Sequence, residues 1–96
     1  MLENELPEKL EQLKNLLNDK AEEILLEAEN ELELSSGLDQ LVFIATNFKN
    51  QVFEKLHSPV RAAAEKDVNY LLEVQETSLR RDYVSYLSRR TFLFLL

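Results

Sequence analysis

LDQLVFIATNFKNQVFEKL, residues 38–56, is the stretch whose reading settles the fold. Placed on a helix at about 100° per residue, its apolar side chains fall in one arc of roughly half the circumference. That arc holds Leu38, Leu41, Val42, Ile44, Ala45, Phe48, Val52, Phe53 and Leu56. Only Lys49 intrudes, and a lysine can lay its stem on apolar surface while its ammonium stays in water. No other segment carries so much apolar bulk with so little charge. The stretch is therefore expected to be the central helix of a bundle.

On its N-terminal side, Ser35-Ser36-Gly37 is expected to be a break. Gly37 suits a left-handed cap on the preceding helix. Alternatively Ser36 caps the following one, with Asp39 three residues on. The first helix then covers about residues 5–34. Pro7 fits its first turn, and Glu3, Glu5 and Glu8 suit the positive end of its dipole. Its apolar stripe is Leu6, Leu10, Leu13, Leu17, Ala21, Ile24 and Ala28, with Leu26 on the opposite side. Leu10, Ala21 and Leu32 lie eleven apart, a spacing close to that of a straight helix with little supercoil. Glu31-Leu32-Glu33-Leu34 alternates as a strand would, but four residues with two glutamates are read as helix.

On its C-terminal side, the second helix is expected to end near His57. Ser58-Pro59 then opens a third, serine as the cap and proline at the first helical position. No Gly or Pro follows. The apolar face of this third helix moves, however. Val60, Ala64, Val68, Leu71 and Val74 share one side, and Gln75-Glu76-Thr77-Ser78 interrupts them. Leu79, Tyr83, Tyr86 and Leu87 then occupy a side turned by roughly a quarter to a third of the circumference. Two outcomes are open. The helix breaks near 75–78 and a fourth packs back, or it continues and its second half meets a different surface. At 1.5 Å per residue an unbroken third helix is about 55 Å long, against about 30 Å for the second. It would overhang its neighbours.

The chain has 96 residues, one Gly, two Pro, no Cys and a net charge of −7. That is the composition of a single helical domain, residues 1–96. Residues 1–35 hold eleven acids and three bases, and residues 61–96 hold five and six. The acidity argues against a nucleic-acid partner. Without cysteine there is no disulfide, thiolate metal site or cysteine nucleophile. The N-terminus is too acidic and polar for a signal or transit peptide, so an intracellular location is the expectation.

The individual candidates favour plain structural roles. His57 is the only histidine, has no Glu-x-x-His partner and suits the negative end of a helix. Glu23, Glu27 and Glu31 make a carboxylate ridge one turn apart, which reads as a solvated face. Asp67 and Gln75 fall at the edge of the apolar face. Ser35, Ser36, Ser58, Thr77 and Ser78 suit caps and turns. Arg80 and Arg81 suit solvent and pairs such as Glu76 with Arg80. Phe43 lies opposite the expected core and, with Leu26, is a conceivable anchor. No nucleophile–base pair, metal set or cofactor motif is present, so neither catalysis nor a cofactor is expected.

The end of the chain, Arg89-Arg90-Thr91-Phe92-Leu93-Phe94-Leu95-Leu96, is the unusual feature. Two arginines precede five consecutive apolar residues, which either fold over the end of the bundle as ordinary core, join a second copy or a partner, or begin a membrane span. The expectation is an all-α antiparallel three-helix bundle whose third helix is long, or broken into a fourth. The expected function is helix-to-helix interaction of the coiled-coil kind, with a second copy or another helical protein, through Tyr83, Leu87, Phe92 and Phe94. The alternative is a membrane-proximal domain in which residues 89–96 touch or enter lipid, with Arg89 and Arg90 facing an acidic partner or anionic headgroups.

Overall fold

The computed structural model describes the backbone of residues 3–95 and the side chains of residues 4–89. A 3-10 turn at Glu3–Glu5 leads into α1 (Leu6–Glu27), followed by α2 (Glu31–Val52) and α3 (Ser58–Leu95). Each helix packs on the other two. No strand occurs among the described residues.

The α1 stripe is buried as its spacing requires. Leu13, Leu17, Ala21, Ile24 and Ala28 are inside, and Leu6 and Leu10 are half-buried against the same core. Leu34, Leu38, Leu41 and Ala45 answer from α2, Ala64, Val68, Leu79 and Tyr83 from α3. Ile44, Phe48, Val52 and Leu56 pack around this core, while Val42 sits at its edge, 41% exposed. Lys49 is half-buried, and its Nζ emerges to donate to Asn69 Oδ1 at 3.0 Å, tying α2 to α3.

The first boundary differs from the expected one. The chain turns at residues 28–30, and Ser35-Ser36-Gly37 lies inside α2. Asn30 explains the change. Its Oδ1 accepts from the Glu33 N–H at 3.0 Å, and a Glu33 carboxylate oxygen accepts from the Glu29 N–H at 2.5 Å. The Asn30 bond satisfies a backbone donor that a helix start otherwise leaves bare, and the Glu33 carboxylate ties down the residue ahead of the cap. Gly37 is needed for a different reason. A Cβ there would fall on the Ile24 Cγ2, 2.9 Å from Cγ1 and 3.2 Å from Cβ. It serves as a contact point between α1 and α2, with no left-handed backbone.

The second boundary is also earlier than expected. α2 ends at Val52 and not near His57. Phe53 leaves the helical region at φ −95°, ψ 2°, and its ring is fully buried, edge-on to Phe48 at 5.4 Å. Burying that ring turns the backbone out of the helix. α3 does open here, but Ser58 is its first helical residue and Pro59 its second, so the capping position falls on His57, whose carbonyl accepts from the Arg61 N–H at 2.8 Å.

α3 is one helix of 38 residues, so the interruption near 75–78 does not occur. The moving face is accommodated by a polar contact. Gln75 Nε2 donates to Asn18 Oδ1 of α1, and Gln75, Glu76 and Ser78 are half-buried. Burial passes from Ala64 and Val68 through Leu71 and Leu72 to Leu79, Tyr83 and Leu87 without a gap. Hence the drift in the apolar stripe becomes a slow winding of one rod. The molecule measures 58 × 20 × 17 Å. Thirty-eight residues at 1.5 Å rise give about 57 Å, so α3 sets the long dimension.

Candidate docking surface

Two grooves fix how α3 lies beside α1. One brings Pro7, Leu10 and Lys14 to Asp67, Tyr70 and Leu71. The other, about 310 Å³, brings Ala21, Glu22 and Leu25 to Ser78, Leu79 and Asp82. α1 stops at Glu27, only two residues beyond Leu25, whereas α3 continues thirteen residues beyond Asp82. The last turns of α3 therefore run past the end of α1.

The expected contact residues separate along this segment. Tyr83 is buried in the core at 2% exposure, so the bundle itself uses the ring. Its hydroxyl finds no hydrogen-bond partner among the described residues. Leu87 is half-buried against the same core. Arg89 is exposed. Phe92 and Phe94 belong to the α3 backbone, but their side chains, and that of Arg90, lie outside the described residues. Two residues not expected at this surface are prominent: Val84 is 62% and Tyr86 45% exposed. Tyr86 falls within the apolar set of the sequence, but at its level the core takes Leu87, and Tyr86 turns to the outer side.

Elsewhere, Arg61 pairs with Glu65 at 3.1 Å and Arg81 approaches Asp82 at 3.7 Å; the expected Glu76–Arg80 pair is not formed. His57 is exposed in the α2–α3 connection. The carboxylate ridge is divided, since Glu27 ends α1 and Glu31 opens α2. No group of three His, Cys, Asp or Glu able to hold a metal occurs among the described residues. Asp67 is exposed and Gln75 half-buried. Leu26, Leu32 and Phe43 are exposed, each on the back of its helix. Among the described residues no helix is long and apolar enough to cross a membrane. Val84, Tyr86 and Arg89 are exposed together on the last described turns of α3, next along the helix to the groove that ends at Asp82.

No family model, curated protein or solved structure matches this chain.

Proposed function

We propose that this protein is a non-enzymatic interaction module in which a short helical hairpin presents the far end of a long helix to another helical chain. In this reading α1 and α2 run antiparallel, joined by residues 28–30, and α3 lies parallel to α1. The three helices make one domain. Supporting the arrangement are the contact of Gly37 with Ile24 across the turn and the order of the two α1–α3 grooves.

The single observation that carries the functional reading is the mismatch in length. α1 and α2 have 22 residues each and α3 has 38. An apolar stripe that outruns its neighbours loses burial worth roughly 1.5–3 kcal/mol for each large side chain left in water. Residues 92–96 add five consecutive apolar positions to that segment. A partner helix laid along it recovers that burial.

Sedimentation equilibrium over a wide concentration range tests this. The native chain is expected to associate, and Phe92→Ser/Phe94→Ser to remain monomeric with unchanged helix content. Association that is indifferent to both substitutions would refute the reading. A second reading, contact with a lipid surface, rests on the pair Arg89-Arg90 ahead of the apolar run. Flotation on anionic vesicles separates the two. The interaction reading expects the native chain to stay in the unbound fraction.

A further inference from the structure

We infer that the partner is a second copy of this chain, with the two α3 helices antiparallel so that Asp82 of each faces Arg89 of the other. The inference rests on the interaction reading above and adds to it the partner and the register.

Gln75, Asp82 and Arg89 are spaced seven apart on one helix. Positions with that spacing stay nearly on one line, drifting only about 20° per heptad. At its near end the line borders the groove shared with α1, because Gln75, Ser78 and Asp82 all line it. At its far end it leaves α1 behind. Both charges are accessible: Asp82 is 3.7 Å from Arg81, with its side chain still half-exposed, and Arg89 is exposed. Tyr86 lies between them, one turn beyond Asp82, at 45% exposure.

A line carrying one acid and one base seven residues apart is self-complementary about the point midway between them. The two-fold axis then passes between Ser85 and Tyr86, as an isologous pair requires. Asp82 meets Arg89 twice. Position 93 comes level with Ser78, beside the groove. A parallel pair in register would instead set Asp82 against Asp82 and Arg89 against Arg89. Shifting the axis to Arg90 would oppose the two Arg90 residues. Charge at such a surface selects orientation and register more than it adds affinity.

Net charge favours the same face. Each copy carries −7, and eleven of its eighteen acids lie in residues 1–35. From Tyr83 to Leu96 there is no acid and there are two arginines. Joining through this end keeps the two acidic halves as far apart as the molecule allows.

Charge reversal provides the test. Measured in about 0.15 M salt, where a Debye length of about 8 Å screens the repulsion between whole chains, Asp82→Arg and Arg89→Glu each convert two attractive contacts into two repulsive ones, which is expected to weaken self-association roughly tenfold. Mixing the two variants in equal amounts should restore it, because the hetero-pair opposes Arg with Glu and Asp with Arg. The double variant Asp82→Arg/Arg89→Glu should associate like the native chain. Circular dichroism of each variant checks that the helices remain. Single reversals that associate as tightly as the native chain would overturn the register. If association is then still abolished by Phe92→Ser/Phe94→Ser, the interaction reading stands without it. A native chain that is monomeric at every concentration would overturn the second copy as partner.

Discussion

Individual residues here owe their roles to what they touch. Gly37 is the clearest. In an exposed helix, Gly to Ala gains about 1 kcal/mol of helix propensity. Gly37→Ala is expected to lose stability instead, because the new methyl overlaps Ile24 and overpacking costs roughly 1–3 kcal/mol. Urea denaturation of a double-mutant cycle with Ile24→Ala gives the decisive comparison. With the Ile24 Cγ atoms gone, Gly37→Ala should be neutral or stabilising. An equal loss in both backgrounds would mean that the close approach is not the cause.

Tyr83 makes the opposite case. Its ring is buried in the core, and its hydroxyl is buried with no hydrogen-bond partner among the described residues. A buried polar group without a partner costs about 1–3 kcal/mol. Tyr83→Phe should therefore hold or raise the urea midpoint, whereas Tyr83→Ala should lose about 3–5 kcal/mol. A Phe variant that lost more than about 1 kcal/mol would point to a hydrogen bond of net value.

At the scale of the element, the caps decide where helices begin. Asn30 and Glu33 hold the start of α2 through side-chain to backbone bonds of 3.0 and 2.5 Å. Asn30→Ala is expected to cost about 1 kcal/mol, a usual value for removing such a cap. Amide exchange should quicken in the first turn of α2 and stay slow around Leu41. An unchanged stability would mean that packing of Leu34 alone fixes the boundary. The same Asn-x-x-Glu pattern was present in the sequence, directly ahead of Leu34. It was passed over because serines followed by a glycine make a more familiar break. α3 shows a related effect: four consecutive polar residues need not end a helix when a neighbour offers a polar group at that level, as Asn18 offers to Gln75.

At the scale of the whole molecule, length and charge act together. A rod 58 Å long with its neighbours confined to part of it leaves one end to be covered. Bringing two chains of charge −7 to roughly 40 Å between centres costs about 5 kcal/mol in unscreened water. The two proposed Asp82–Arg89 contacts would offset only about 1 kcal/mol of that. Screening the repulsion therefore matters more than weakening the contacts. Self-association should tighten several-fold as salt rises from about 0.01 to 0.15 M, because the Debye length falls from about 30 to 8 Å. Attachment to anionic lipid through Arg89 and Arg90 would weaken over the same range. Sedimentation and flotation at both salt concentrations distinguish the two.

By itself the sequence determined the helical class, the buried face of α1, most of the buried face of α2 and the Ser58-Pro59 start of α3. These follow from periodicity and backbone preference, which neighbouring residues fix among themselves. The tertiary structure decided whether Gly37 ends a helix or lets two helices meet, and whether residues 75–78 break α3. It also decided that Tyr83 belongs to the core while Tyr86 does not. Each of those answers depends on a partner distant in the chain: Ile24 for Gly37, Asn18 for Gln75, and for the two tyrosines the side of α3 on which the other helices lie. A local pattern records which side of a helix is apolar; only the packed chain determines how far along that side there is something to pack against.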